Sequence, residues 1–99
     1  MNSTYYADIF KVLADETRVK VIQILTTENR CACQILEAFK IGQSTLSHHM
    51  KLLTESGLVI AEKEGKWVYY RLNEEKFLAL RAFFEKINAI DAPCINCGE

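Results

Sequence analysis

Hydrophobic residues recur at helical spacing through the first half of the chain and give way to a strand-like pattern beyond it. Tyr6, Ile9, Phe10 and Leu13 fall three and four apart. That spacing predicts a first helix reaching about Leu13, with Ser3 or Thr4 as its cap. Asp15 opens a second helix through about Thr27, with Val19, Ile22 and Leu25 on one face and Val21 and Ile24 widening it. Asn29 closes that region, and a short third helix is expected from about Cys31 to Phe39. Ile41-Gly42 forms a turn, in which Gly42 supplies backbone freedom. A fourth helix runs from about Ser44 to Glu55 and is stopped by Ser56-Gly57. Leu58–Lys63 and Trp67–Leu72 are then rich in β-branched and aromatic residues, with Glu64-Gly65-Lys66 between them, which predicts a β-hairpin. Asn73 is placed to cap a last helix from about Glu74 to Ile90, and Pro93 marks its end. This order predicts a mainly α domain over residues 1–92, a winged helix-turn-helix with a small hairpin, and a tail over residues 93–99.

The fourth helix has two unlike faces. At about 100° per residue, Ser44, Ser47, His48, Lys51 and Glu55 gather on one side, and Leu46, His49, Met50 and Leu53 on the other. A packed back, a polar front and short donors at the N-terminal end suit the major groove, where a helix N-terminus approaches base edges. Gln43 and Ser44 can direct backbone or side-chain N–H groups at a phosphate, and Thr45 beside them is a further candidate for DNA contact. A plain amphipathic surface helix would show the same wheel, and it is the tight turn before and the hairpin after that favour DNA reading. His48 is expected to be exposed toward DNA, and His49 to face inward as an orienting or core residue. Lys63 and Lys66 flank the hairpin tip, where a wing needs cations to straddle phosphates, although a solvated tip would look alike. Trp67, Tyr69 and Tyr70 read as sheet packing.

The outer helices are too apolar for a lone small domain. Phe77, Leu80, Phe84 and Ile87 form a stripe widened by Phe83 and Ile90, and Tyr5, Tyr6, Ile9 and Phe10 can pack beside it. Some of these residues must complete the monomer core. A two-fold homodimer would bury the rest and set two reading helices roughly 34–36 Å apart, one turn of DNA.

The 99 residues carry a net charge of −1, which by itself argues weakly against nucleic acid. The section from Lys40 to Arg71, however, is +2, leaving −3 elsewhere, and local basicity decides phosphate contact. The apolar runs are all too short for a transmembrane helix, and the first residues lack the pattern of a signal peptide. The expected compartment is the cytoplasm, where four cysteines would stay reduced and read as ligands or redox groups.

Cys31 and Cys33 flank the packed face of the third helix, formed by Ala32, Ile35, Leu36 and Phe39. In a regular helix side chains two apart point about 200° from each other, so both thiolates could hold one ion only if the first turn loosened. A helix N-terminus and the neighbouring Arg30 favour thiolates. Soft thiolate pairs suit thiophilic ions. Trivalent arsenic and antimony prefer three thiolates, so a third ligand is needed. Cys94 and Cys97, spaced as Cys-x-x-Cys, could supply it, form a separate zinc-type site or stay unligated.

Together these segments resemble the ArsR/SmtB family of metal-sensing winged-helix repressors. The resemblance is carried by Leu13-Ala14-Asp15-Glu16-Thr17-Arg18, the Cys-x-Cys segment, Gln43-Ser44-x-x-Ser47-His48-His49, Leu53-x-x-Ser56-Gly57-Leu58-Val59 and Gly65–Leu72. It implies a dimer that binds double-stranded operator DNA without inducer and leaves when inducer binds. It carries DNA contact onto Gln43, Ser44, Ser47 and His48. The Cys-x-Cys resembles the arsenic-sensing branch, which implies As(III) or Sb(III) as inducer, with Cd(II), Pb(II) or Zn(II) as alternatives. That branch adds a third cysteine three residues later, where this chain has Leu36. The family's zinc site on the last helix needs histidine, and this helix has none. Two rival readings remain open: thiols that sense oxidants in the same repressor, and a zinc-stabilised protein-interaction module that does not read DNA. No constellation of nucleophile, base and oxyanion donors suggests an enzyme.

Overall fold

The computed structural model describes residues 3–27 and 30–88, with the backbone alone at 30–33. The elements follow in the order α1 (Ser3–Leu13), α2 (Glu16–Leu25), β1 (Arg30–Cys31), α3 (Ala32–Glu37), α4 (Gln43–Glu55), β2 (Val59–Glu64), β3 (Trp67–Leu72) and α5 (Glu74–Asn88). A mainly helical winged helix-turn-helix is thus present, with α3 and α4 as the helix pair and β2–β3 as the wing.

Each boundary has a local cause. Asp15 lies in extended conformation ahead of α2, and its carboxylate accepts from the N–H groups of Thr17 (2.9 Å) and Arg18 (3.2 Å), satisfying donors that a helix start leaves without partners. Helix α3 ends at Glu37, two residues short of the expected Phe39, because Ala38 and Phe39 donate back only three residues, to Ile35 and Leu36, and the chain tightens out of the α-helix. Gly57 follows α4 with φ +84°, the left-handed setting that ends helices and that glycine adopts without strain. The wing turns through Gly65-Lys66, with Gly65 at φ +62°, the sign that two-residue hairpin turns require at their first position.

Asn73, expected to cap the last helix, directs its side-chain amide back to the exit of α4. Its side-chain amide donates to the Gly57 carbonyl (2.8 Å) and its backbone N–H to the Leu58 carbonyl (2.9 Å). The start of α5 is thereby fastened to the exit of α4.

The core is one cluster drawn from nearly every element. Val21, Ile35, Leu53 and Leu58 are fully buried, and Tyr6, Ile9, Leu25, Leu46, Met50, Val59 and Leu80 nearly so. The expected stripe on α5 therefore divides: Leu80 completes the monomer core, as do Tyr6 and Ile9 of α1. Phe84 and Ile87 remain about half exposed, as does Leu78, which lies outside the stripe.

The largest departure from expectation is strand β1. Arg30 and Cys31 pair antiparallel with Tyr70 and Tyr69 of β3, making the sheet three-stranded in the order β1-β3-β2. Cys31 was expected in the first turn of the third helix. It lies in a strand instead, and the helix begins at Ala32. The β-branched and aromatic strand β3 offers a second hydrogen-bonding edge, and two residues of pairing there prevail over the weak helical signal of a short segment.

Candidate nucleic-acid interface

Helix α4 is seated by its apolar back. Leu46, Met50 and Leu53 are 3% exposed or less, whereas Gln43, Ser44, Thr45, Ser47, His48 and Lys51 are all exposed. The division matches the wheel read from the sequence. The helix begins one residue earlier than expected, at Gln43, after Gly42 in extended conformation with no side-chain cap. Its first-turn N–H groups are thus not occupied by a capping side chain, and they add to the positive end of the helix dipole.

The wing stands beside this helix in sequence and pairs in register from Val59↔Leu72 to Glu64↔Trp67. Lys63 and Lys66 are exposed at its tip. Arg71 is held by Glu62 (3.0 Å), which leaves these two lysines as the tip's cations. Trp67 departs from the sheet-packing expectation. It is 50% exposed, because its strand position places it opposite Glu64 at the hairpin end, beyond the core. The Lys66 ammonium lies 5.7 Å from its ring centroid, within cation–π range. Tyr70 packs against the core as expected, and burial pushes its phenol up from the usual tyrosine value.

Behind the reading face lies a polar tie that sequence reasoning did not assign. His49 is largely buried on the α2 side, its side chain 14% exposed. Its Nδ1 is 3.0 Å from an Arg18 guanidinium nitrogen, and the Arg18 Nε donates to the Val12 carbonyl at 2.5 Å. The Asp15 carboxylate lies 3.9 Å from the same Nδ1. Hydrogen bonding from the Arg18 backbone N–H, partly opposed by desolvation and aided by the Arg18 charge, holds the Asp15 carboxyl below its ordinary value. The inward, orienting placement expected of His49 is found. Its partner Arg18 is visible in the sequence only as a cation one turn into a capped helix.

The cysteines divide by location. Cys31 ends strand β1 opposite Tyr69, and Cys33 is the second residue of α3. They straddle a strand-to-helix junction, so the 200° separation of a regular helix does not apply to them. Cys94, Cys97 and the end of the last helix expected at Ile90 lie outside the described residues. Among the described residues, no helix is long and apolar enough to cross a membrane.

Residues 15–61 match the model of a family described as bacterial regulatory protein, arsR family. The chain is 43% identical over 89 residues to an arsenical resistance operon repressor of Staphylococcus aureus, covering 90% of this chain and 83% of that protein. A cadmium resistance transcriptional regulatory protein homolog of the same organism is 40% identical over 83 residues, covering 81% of this chain and 69% of that one. Among solved structures, the homodimeric winged helix-turn-helix DNA-binding domain of a possible ArsR-family regulator from Mycobacterium bovis aligns with a TM-score of 0.71 at 28% identity, covering 86% of this chain and 79% of that one.

Proposed function

Because this chain belongs to the arsR family of bacterial regulatory proteins, we propose that it is a homodimeric transcriptional repressor released from operator DNA by a thiophilic ion. The observation that carries the DNA-reading part is the two-faced helix α4, with three buried apolar residues behind and seven exposed polar residues, Glu55 among them, away from the core. Gln43, Ser44 and Thr45 bring backbone N–H groups and short side chains to phosphates at the helix start. Ser47, His48 and Lys51 meet base edges or the backbone further along. Lys63 and Lys66 grip phosphates from the wing.

The inducer is As(III) or Sb(III), bound first by Cys31 and Cys33. Two supports stand behind that choice: a soft thiolate pair, and relatives named for arsenical resistance. The cadmium-resistance relative favours Cd(II) as the second candidate. A third thiolate from Cys94 or Cys97 would complete a pyramidal arsenic site. The pairing of Cys31 with Tyr69 supplies the route to DNA: an ion that draws Cys31 toward Cys33 pulls on a strand hydrogen-bonded to the wing. A coupling of about 1–3 kcal/mol between ion and operator would suffice for a switch.

The test is fluorescence anisotropy on the DNA upstream of the chain's own gene, with reduced protein bound and then titrated with As(III), Cd(II) and Zn(II). Release at the lowest concentration by As(III) supports the arsenic reading. Release by Cd(II) alone replaces it with the second candidate. Failure to bind DNA at any salt concentration contradicts the repressor itself.

A further inference from the structure

The back of the reading helix is held by apolar packing at Leu46, Met50 and Leu53 and, among the described residues, by the directional contact of His49 with Arg18. Apolar packing is non-directional. It keeps a helix against its neighbours yet fixes its rotation about the axis poorly. A hydrogen bond depends steeply on distance and angle and can set that rotation.

We infer that Arg18 and His49 are positioning residues for DNA recognition, a clamp that fixes the angle at which α4 presents Ser47, His48 and Lys51. Guanidinium carries only donors, so the 3.0 Å contact makes His49 Nδ1 the acceptor and places the imidazole proton on Nε2. Arg18 is itself fixed at three points. Its Nε donates to the Val12 carbonyl near the end of α1, its backbone N–H to the Asp15 carboxylate, and its terminal nitrogen to α4. One residue, itself in the first turn of α2, therefore links the last turn of α1 to the middle of the reading helix. Helix α1 carries Phe10, whose ring meets Phe83 and Phe84 of α5 at 5.9 Å each, beside the apolar surface proposed to dimerise. The clamp thus sets the reading helix relative to the dimer, which is what the spacing of two half-sites requires.

This role presupposes the DNA-binding reading, and the experiment separates the two. Operator and random-sequence DNA are each titrated with wild type, His49→Phe, His49→Asn, Arg18→Lys and the double variant His49→Phe/Arg18→Lys. Circular dichroism and dimer mass are checked for every protein. Asparagine places its carbonyl oxygen where Nδ1 stood, and phenylalanine keeps the ring without an acceptor. Lysine keeps the charge but offers one nitrogen where the guanidinium uses two, Nε on Val12 and a terminal nitrogen on His49.

His49→Phe is expected to weaken operator binding about tenfold, the loss typical of one charge-assisted hydrogen bond. Random DNA should be bound as before, and His49→Asn should restore most of the operator preference. Arg18→Lys should match His49→Phe, and the double variant should be no worse than either. If asparagine fails as badly as phenylalanine, or the two losses add, the clamp is overturned. Equal operator binding by all variants overturns it too, while leaving the repressor reading intact. Wild type that binds neither DNA overturns both.

Discussion

Asp15 shows how much one side chain can organise. Its carboxylate caps α2 through Thr17 and Arg18 and lies within reach of His49. Removing the cap in Asp15→Ala should lower stability by about 1 kcal/mol, the usual loss for such a cap, as measured by urea denaturation. The pH dependence has a definite sign. The folded carboxyl titrates below its ordinary 3.8, so the fold binds fewer protons there than the unfolded chain. The stabilisation is therefore full above that value and fades as pH falls through the lowered one. The stability advantage of wild type over Asp15→Asn, which caps without charge, should shrink below pH 3.8 and stay constant above it. The sequence showed Asp15 as a helix start. It could not show that Arg18, three residues on, reaches across 31 positions to His49, because that pairing depends on how α2 packs against α4.

At the scale of elements, the reading helix and the wing make separable predictions. Leu53 is fully buried beneath α4, and Leu53→Ala should cost about 2–5 kcal/mol of stability, read as a lowered denaturation midpoint. Lys63→Ala and Lys66→Ala should leave that midpoint nearly unchanged. Each should instead reduce the salt dependence of operator binding by about one phosphate contact. Trp67 is the chain's only tryptophan and sits half exposed at the wing beside Lys66. Its fluorescence should become protected from acrylamide when operator binds, and unchanged quenching would show that the wing stays off the DNA. Elements of strong period were legible in the sequence: α1, α2, α4 and both wing strands lie within a residue or two of expectation. The two-residue strand β1 was not legible, since so short a segment has no period and forms only because β3 offers an edge. The exposure of Trp67 was hidden for a related reason. Strand composition signals a sheet but not which end of it outruns the core.

The whole molecule is arranged around two outer helices that the monomer core only partly covers. Tyr6 lies against Phe83, with ring centroids 4.2 Å apart, and together with Leu80 it binds α1 to α5 within one chain. Phe84 and Ile87 stay about half exposed along the same helix. Ile87→Glu should therefore leave the monomer folded and shift the mass measured by sedimentation from dimer to monomer. Operator affinity should fall with it, because a monomer holds only one reading helix. The division of the apolar stripe into buried core and exposed surface could not be read from its spacing, which is the same for both.

The central claim joins a thiol pair to release from DNA, and the double variant Cys31→Ser/Cys33→Ser tests it most directly. Bound to operator under reducing conditions beside wild type, both proteins are titrated with As(III) and followed by anisotropy. The account predicts equal operator affinity, release of wild type, and a variant that stays bound throughout. A variant released at the same As(III) concentration as wild type would contradict it.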